Sequence, residues 1–462
     1  MRKERDFLGS VDIPDERFYG INTMRALENF GQESERHDPL FITAYLQVKK
    51  AAALANKELG FLDPEKADFI ISAIDGLVAE GRFDDIVVNP LSGGAGTSLN
   101  MNVNEVISNH ALEKAGREKG DYEYIHPLNH VNLHQSTNDT YPSAFKVAVL
   151  MHLNRLEKEL TSLQESIQAH EKEFGSIVRL GRTELQDALP MTAGMQFGAY
   201  AEAIARDRWR IFKARERIKV LNIGGTAIGT GFSAPQKYIF TVIEKLKGVT
   251  GLTITRAENM IDATQNLDAV VEVSGLMKAL AVNLMKISED IRLLSSGPAG
   301  GIGEVTVPAL QEGSSIMPGK VNPVMLEFVS QTALLVIAND SAISHASGLG
   351  NLELNQFYPL VATLMLKNFR MLSKAVTGLD AKVIRGIRIN RGRISDHLTN
   401  SVAMLTYLSQ YIGHDRAAEV YTRMKETGES LKDIITREGI LPEHRFEELT
   451  APERIRMTGY RP

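Results

Sequence analysis

From Ala144 to Leu156, and again from Met277 to Ile287, apolar residues recur every three or four positions, the spacing that lines one face of an α-helix. The same pattern predicts helices over residues 38–57, 64–80, 100–116, 192–220, 235–249, 322–347 and 355–377. Several are far longer than the ~11–12 residues of an average globular helix. Only short β-like runs such as Leu252-Thr253-Ile254-Thr255 interrupt them. The expected fold class is therefore all-α, with a long helical bundle through the middle third of the chain. Helices that are apolar on more than one face bury the second face against a partner subunit, so an oligomer is expected. With 462 residues and 43% apolar content, the chain is long enough for several domains and a sizeable core.

Charge narrows the partners. A formal charge of −5 and a pI near 6.2 leave no basic excess for nucleic acid or an anionic membrane. There is no cysteine, which excludes disulfides and thiolate chemistry and fits a reducing compartment. The charged start Met1–Asp6 is followed by no apolar core of a signal peptide, and no run approaches the ~20 apolar residues that span a bilayer. The expected location is the cytoplasm.

The segment Gly313-Ser314-Ser315-Ile316-Met317-Pro318-Gly319-Lys320-Val321-Asn322-Pro323 answers no packing requirement. Its glycines free the backbone and its prolines restrict it, around two hydroxyls, an ammonium and a carboxamide. That inventory suits an anionic substrate. Ser136-Thr137-Asn138-Asp139 reads two ways, as the cap of the following helix or as an anion contact, and a helix N-terminus can be both. His126, His130 and His134 lie partly in a Pro-containing loop without the spacing of a helical metal pair, so no metal is expected there. The glycine-rich run from Ile223 to Gly231 lacks the strand–turn–helix context of a dinucleotide loop.

Taken with Gly94–Asn102, Gln135–Asp139 and Gly181–Asp187, in that order, the 313–323 segment resembles the signature set of the aspartase/fumarase superfamily. The likeness covers nearly the whole chain. Asp6–Gly9, Tyr19-Gly20, Arg25–Phe30 and Glu426–Ser430 are similar to its aspartase branch. The resemblance implies a three-domain layout: a mainly helical domain over 1–137, a central helical-bundle domain over 138–392 that carries the loop, and a small helical domain over 393–462. It implies a homotetramer whose active sites are each assembled from three chains. The implied activity is reversible elimination of ammonia from L-aspartate to give fumarate, with no organic cofactor and no catalytic metal. Elimination from an N-substituted or otherwise altered aspartate, hydration of fumarate, and a catalytically silent structural role are the alternatives.

Residue by residue, the resemblance makes Ser314 the general base, acting as an alkoxide. It assigns Thr97, Ser136 and Thr137, with backbone N–H groups around Ser315, to the doubly charged carboxylate that forms when the proton leaves. Lys320 and Asn322 suit the α-carboxylate, Met317 lines the pocket, and Asn138 and Thr183 face the departing amine. Glu184 departs from the family, which carries histidine or glutamine there; a carboxylate beside the leaving group favours an ammonium over a neutral hydroxyl, unless it pairs instead with Arg182 or another arginine. The resemblance also brings Glu327 near Glu184, where two carboxylates would share a proton. Leu326, Ser330 and the pair Phe357-Tyr358 are further departures, bearing on the size of the amine.

Overall fold

The computed structural model describes residues 1–31 and 36–459. Strands β1 (Arg2–Asp6) and β2 (Gly9–Ile13) form an antiparallel hairpin, followed by helices α1 (Ile21–Phe30), α2 (Pro39–Glu58), α3 (Pro64–Glu80) and α4 (Thr97–Lys114). After a π-helical turn at Pro127–Val131 come α5 (Thr137–Glu173), the hairpin β3 (Val178–Thr183) and β4 (Gln186–Thr192), and α6 (Ala193–Ile218). Strand β5 (Val220–Leu221) pairs in parallel with β6 (Thr255–Arg256), with α7 (Gln236–Thr250) between them. Next are α8 (Met260–Gln265), α9 (Asp268–Leu294), β7 (Val305–Thr306), α10 (Val324–Gly348) and α11 (Tyr358–Lys382). Strand β8 (Arg388–Ile389) returns to β7, and short helices α12 (Arg391–Thr399) to α17 (Pro452–Ile455) complete the described chain.

Helix dominates, as the periodicity requires. The expected spans match within a few residues, and 64–80 matches Pro64–Glu80 at both ends. Helix α4 begins at Thr97, three residues before the expected start, because Gly94, Ala95 and Gly96 hold φ of 83°, 53° and 94° and the chain turns helical only after them. Two hairpins were not expected. Both consist of polar or mixed segments in which no apolar alternation announces a strand.

The chain divides into two compact units, residues 1–157, 209–279 and 335–373 in the first and 158–208, 280–334 and 374–462 in the second. The five long helices α5, α6, α9, α10 and α11 each supply a part to both. Within the second unit they close a ring. Arg208 on α6 bonds Gln164 on α5 at 3.0 Å, Tyr200 on α6 bonds Asp290 on α9 at 3.0 Å, and Ser330 on α10 bonds Glu289 on α9 at 2.5 Å. Gly378 on α11 gives room to Met325 on α10, since a Cβ there would lie 2.7 Å from its sulfur, and Ser162 on α5 bonds Asp380 on α11 at 2.7 Å. Leu405, Leu408, Val420, Ile434, Ile435 and Leu449 form a separate core for the C-terminal helices of the same unit.

In the first unit, Tyr358 is core. Its ring sits edge-on to Tyr141 and Phe145 of α5, with centroids 5.8 and 5.6 Å away, so this departure from the family acts by packing behind α5. Pro142 lies inside α5 and has no N–H for the carbonyl of Asn138 four residues earlier. Asn222 takes over, its Nδ2 donating to that carbonyl at 2.9 Å. Replacing Asn222 with Ala is therefore expected to destabilise the fold by about 1–2 kcal/mol, and by less in a Pro142→Ala background that restores the N–H. Urea or thermal unfolding of the two single variants and the double variant measures that coupling; additive losses would show that the carbonyl is satisfied some other way.

Candidate active site

In the first unit the N-termini of α4 and α5 lie side by side. Gly96 makes this possible: a Cβ on it would stand 2.2 Å from a ring carbon of Tyr141 in the first turns of α5. Asn100, one turn into α4, donates to Thr137 Oγ1 at 3.0 Å, at the start of α5. Two helix N-termini, each worth roughly half a positive charge, thus present Thr97 and the Ser136–Asn138 segment together.

The turn before α5 is closed by a reciprocal cap. Ser136 Oγ accepts from Asn138 N at 3.2 Å, while Ser136 N donates to Asp139 Oδ1 at 3.0 Å. The other oxygen of Asp139 accepts from Gly224 N and Thr226 N, both at 3.1 Å, and Asn138 Nδ2 donates to Ala227 O at 2.7 Å. The glycine-rich run 223–231 is thereby a latch on this turn. Burial pushes the Asp139 carboxyl up to about 6, against the three N–H donors and the charge of Lys49.

Hydrogen-bond polarity separates the expected donors. Ser136 and Thr137 each accept through Oγ, which leaves the hydroxyl proton available to a bound anion. Thr97 instead donates its hydroxyl to Gly94 O at 2.8 Å and must rotate before it can serve a substrate.

The second unit carries the remaining expected residues on two exposed segments. Thr183 pairs with Gln186 across the turn of the β3–β4 hairpin, and the two residues between them, Glu184 and Leu185, hold φ of 51° and 62°. A two-residue turn with both φ positive favours Asn-Gly, so a Glu-Leu sequence costs roughly 1–3 kcal/mol per residue in backbone strain. Glu304 anchors the hairpin. It accepts from Arg179 Nε at 3.1 Å and from an Arg182 terminal nitrogen at 2.7 Å, and His397 Nδ1 lies 2.8 Å from it. Burial pushes the Glu304 carboxyl up, but the bonds from Arg182 and His397 and the charge of Arg179 outweigh it and hold it below the usual range. Arg182 is thus committed to Glu304, and among the described residues Glu184 has no ion-pair partner.

The 313–323 segment closes on itself. Gly313 N donates to Lys320 O at 2.9 Å and Asn322 Nδ2 donates to Gly313 O at 2.8 Å; a Cβ on Gly313 would lie 2.5 Å from Lys320 O. Inside the closure, Ile316 N and Met317 N point at Ser314 Oγ from 3.2 and 3.1 Å. Two backbone donors on one serine oxygen favour its alkoxide form. Ser315, Met317 and Lys320 stand exposed, and Lys320 and Asn322 line an open groove of ≈ 690 Å³ together with Arg292 and Glu327. Arg292 reaches Glu327 at 3.7 Å and Glu289 at 2.6 Å, so Glu327 already faces a cation. Among the described residues no hydrogen bond or ion pair joins this segment to the hairpin turn.

Several participants escaped the sequence reading. Glu304 carries no local signal, since its partners lie far away in sequence, and Arg292 reads from its neighbours only as one half of a helical pair with Glu289. Lys49 did leave one: it sits in an apolar helical stretch, with Tyr45, Ala52 and Ala53 at helical spacing around it. Its side chain is buried, and its Nζ donates to Asn132 Oδ1 at 2.8 Å and Gln135 Oε1 at 3.0 Å. The three histidines serve local roles: His126 Nδ1 accepts from Leu128 N at 3.0 Å, His130 Nδ1 accepts from His126 N at 2.8 Å, and His134 Nδ1 lies 2.8 Å from Asn56 Oδ1. Among the described residues no group of three His, Asp or Glu side chains could hold a metal ion.

Known proteins share this framework. Residues 9–338 match the Lyase family and residues 404–458 the Fumarase C C-terminus family. An aspartate ammonia-lyase of Helicobacter pylori is 42% identical over 458 residues, 98% of each chain. The crystal structure of a fumarate lyase:delta crystallin from Brucella melitensis bound to cobalt superposes with a TM-score of 0.93 at 39% identity, over 98% of this chain and 99% of that one. The class II fumarase of Schistosoma mansoni gives a TM-score of 0.90 at 31% identity, over 98% of both chains.

Asp139 holds the turn before α5 through three backbone donors, and an amide in its place would aim an NH2 group at some of them. Asp139→Asn is expected to cost about 2–4 kcal/mol of stability, against about 1 kcal/mol for loss of the cap alone in Ser136→Ala. Denaturant unfolding of both variants compares the two losses.

Proposed function

The chain belongs to the aspartase/fumarase superfamily of lyases, on its aspartase branch, and from that premise we propose that it eliminates ammonia from L-aspartate, reversibly, to give fumarate. The reading is carried by full-length likeness to an enzyme named aspartate ammonia-lyase, at 42% identity, against 31% to a class II fumarase. In the proposed reaction, Ser314 as alkoxide takes the proton from the carbon beside the β-carboxylate. The electron pair left behind spreads into that carboxylate as a second negative charge. The carbon–nitrogen bond then breaks, nitrogen keeps its bonding pair and leaves as ammonia, and the carbon–carbon double bond of fumarate forms.

Ser136 and Thr137, with Thr97 after rotation and the N–H groups around Ser315, hold the doubly charged carboxylate. The unengaged hydroxyl protons of Ser136 and Thr137 support this assignment. Lys320 and the second N–H of Asn322 take the α-carboxylate, with Met317 along the pocket wall. Asn138, Thr183 and Glu184 face the ammonium. No organic cofactor or catalytic metal is needed for this chemistry. The layout is three domains, 1–137, 138–392 and 393–462, assembled as a cytoplasmic homotetramer whose sites draw on three chains. Apolar side chains left exposed on the long helices, Trp209 and Phe212 on α6, Val282 on α9, and Leu334 and Leu335 on α10, support such assembly. Among the described residues no helix is long and apolar enough to cross a membrane.

A second reading, elimination from an N-substituted aspartate, draws on Glu184, which among the described residues has no arginine partner and stands where the family carries histidine or glutamine. Incubating fumarate with ammonia, methylamine, hydroxylamine and water in parallel, and identifying the adducts, tests the amine. Aspartate as the dominant product is expected; malate alone would overturn the proposal in favour of hydration. Ser314→Ala is expected to lower turnover on the order of a thousandfold or more while the assembly stays intact, and near-normal turnover would assign the base elsewhere. Glu184→Gln is expected to lower kcat/KM for aspartate roughly five- to thirtyfold. An unchanged pH–rate profile and unchanged amine preference would remove Glu184 from the leaving-group side.

A further inference from the structure

Lys49 lies outside every motif that marks a substrate contact, yet only 1% of it is exposed. Among the described residues it has no carboxylate within ion-pair distance. A buried ammonium without a direct counter-charge is costly, so its retention calls for a use. Its hydrogen bonds supply one. An ammonium can only donate, and Asn132 and Gln135 therefore turn their amide oxygens toward it. Their NH2 groups then face the backbone of the turn: Asn132 Nδ2 donates to Gln135 O at 3.1 Å, and Gln135 Nε2 to Val131 O at 3.0 Å and Leu133 O at 3.2 Å. Asn132 Oδ1 also gathers Asn100 Nδ2 at 3.3 Å, and the same NH2 group reaches Thr137 Oγ1 at 3.0 Å. Replace the ammonium with a neutral group and Asn132 Oδ1 keeps only the amide donors of Asn100 and Asn104, while Gln135 Oε1 loses the donor that holds it in the interior.

We infer that Lys49 is a positioning residue for the dicarboxylate subsite: through Asn132 and Gln135 its ammonium holds the turn that presents Ser136 and Thr137, and its charge is coupled to binding of the substrate's dianion. This rests on the reading of Ser136 and Thr137 as substrate contacts. The groups facing Lys49 are few. Asp139 on α5 is the acid whose charge favours the ammonium, and Tyr45 on the same helix as Lys49 holds its ring centroid 5.7 Å from Nζ. Burial pushes the Lys49 amine down to about 7, with Asp139 opposing. Above neutral pH the site is therefore partly discharged, and an arriving dianion favours recharging it. Binding then takes up a proton, and affinity falls as pH rises through this range.

Succinate, a dicarboxylate that cannot eliminate, is the probe. Calorimetric titration of the whole protein at about pH 8, in buffers of different ionisation heat, counts the protons taken up. A substantial fraction of one proton is expected. Succinate affinity is expected to fall about tenfold between about pH 6.5 and about pH 8.5 in the wild type. In Lys49→Met it is expected to be weaker and flat over that range, with KM for aspartate raised more than kcat is lowered. If Lys49→Met does not assemble, the wild-type proton count still decides. Binding with no proton uptake and a pH-independent affinity would overturn the role of Lys49, whereas failure of the wild type to bind succinate at any of these pH values would overturn the subsite reading on which it rests.

Discussion

The carboxylate of Asp139 is the group that holds together the turn of the first unit proposed to meet substrate. Fully buried, it accepts three backbone N–H bonds from two separate segments. One caps the helix at Ser136; the other two draw the glycine-rich run against the same turn. A hydrophobic contact could hold these segments near one another, but only directional bonds fix which atoms of Ser136 and Thr137 face outward. The charge of Lys49 bears on the same group. With one buried acid and one buried base opposed across a helix N-terminus, the turn is rigid, polar and electrostatically suited to an anion.

The second unit works by a different device. Its hairpin turn holds two non-glycine residues at positive φ, a conformation that local preference disfavours and that the surrounding structure has to impose. Glu304 imposes it from below by gathering Arg179, Arg182 and His397. The signature segment needs no such anchor, because Gly313 lets its two ends meet and the side chain of Asn322 clips them together. Both devices present polar groups to solvent on short, internally braced loops, the preorganisation that the proposed reaction calls for.

Hydroxyl direction ties these local structures to the proposed reaction. Ser136, Thr137 and Ser314 all accept backbone or amide N–H bonds through Oγ. For Ser136 and Thr137 this leaves a proton to donate to a charged carboxylate. For Ser314 the same arrangement stabilises the oxygen once its own proton has gone. Acceptance by the hydroxyl oxygen is therefore common to the proposed donors in one unit and the proposed base in the other.

Much of this was legible in the residues alone. The helices follow from a local period, each apolar side chain needing burial every three or four positions, and the cap at Ser136-x-x-Asp139 is likewise a contact between near neighbours. The residues proposed to meet substrate were named through the resemblance of their motifs to those of the aspartase/fumarase superfamily, and their chemical groups suit the reaction that the resemblance implies. Tertiary structure decided what depends on partners distant in sequence. Nothing near Arg182 says that it pairs with Glu304, 122 residues away, and leaves Glu184 without an arginine among the described residues. Nothing near Pro142 says that Asn222 will serve the carbonyl it strands. Lys49 reads as one charge in a helix, and only the packing of α2 against its neighbours buries it and turns it toward Asn132 and Gln135. Periodicity is a property of neighbours along the chain; burial, charge pairing and hydroxyl direction are properties of neighbours in space.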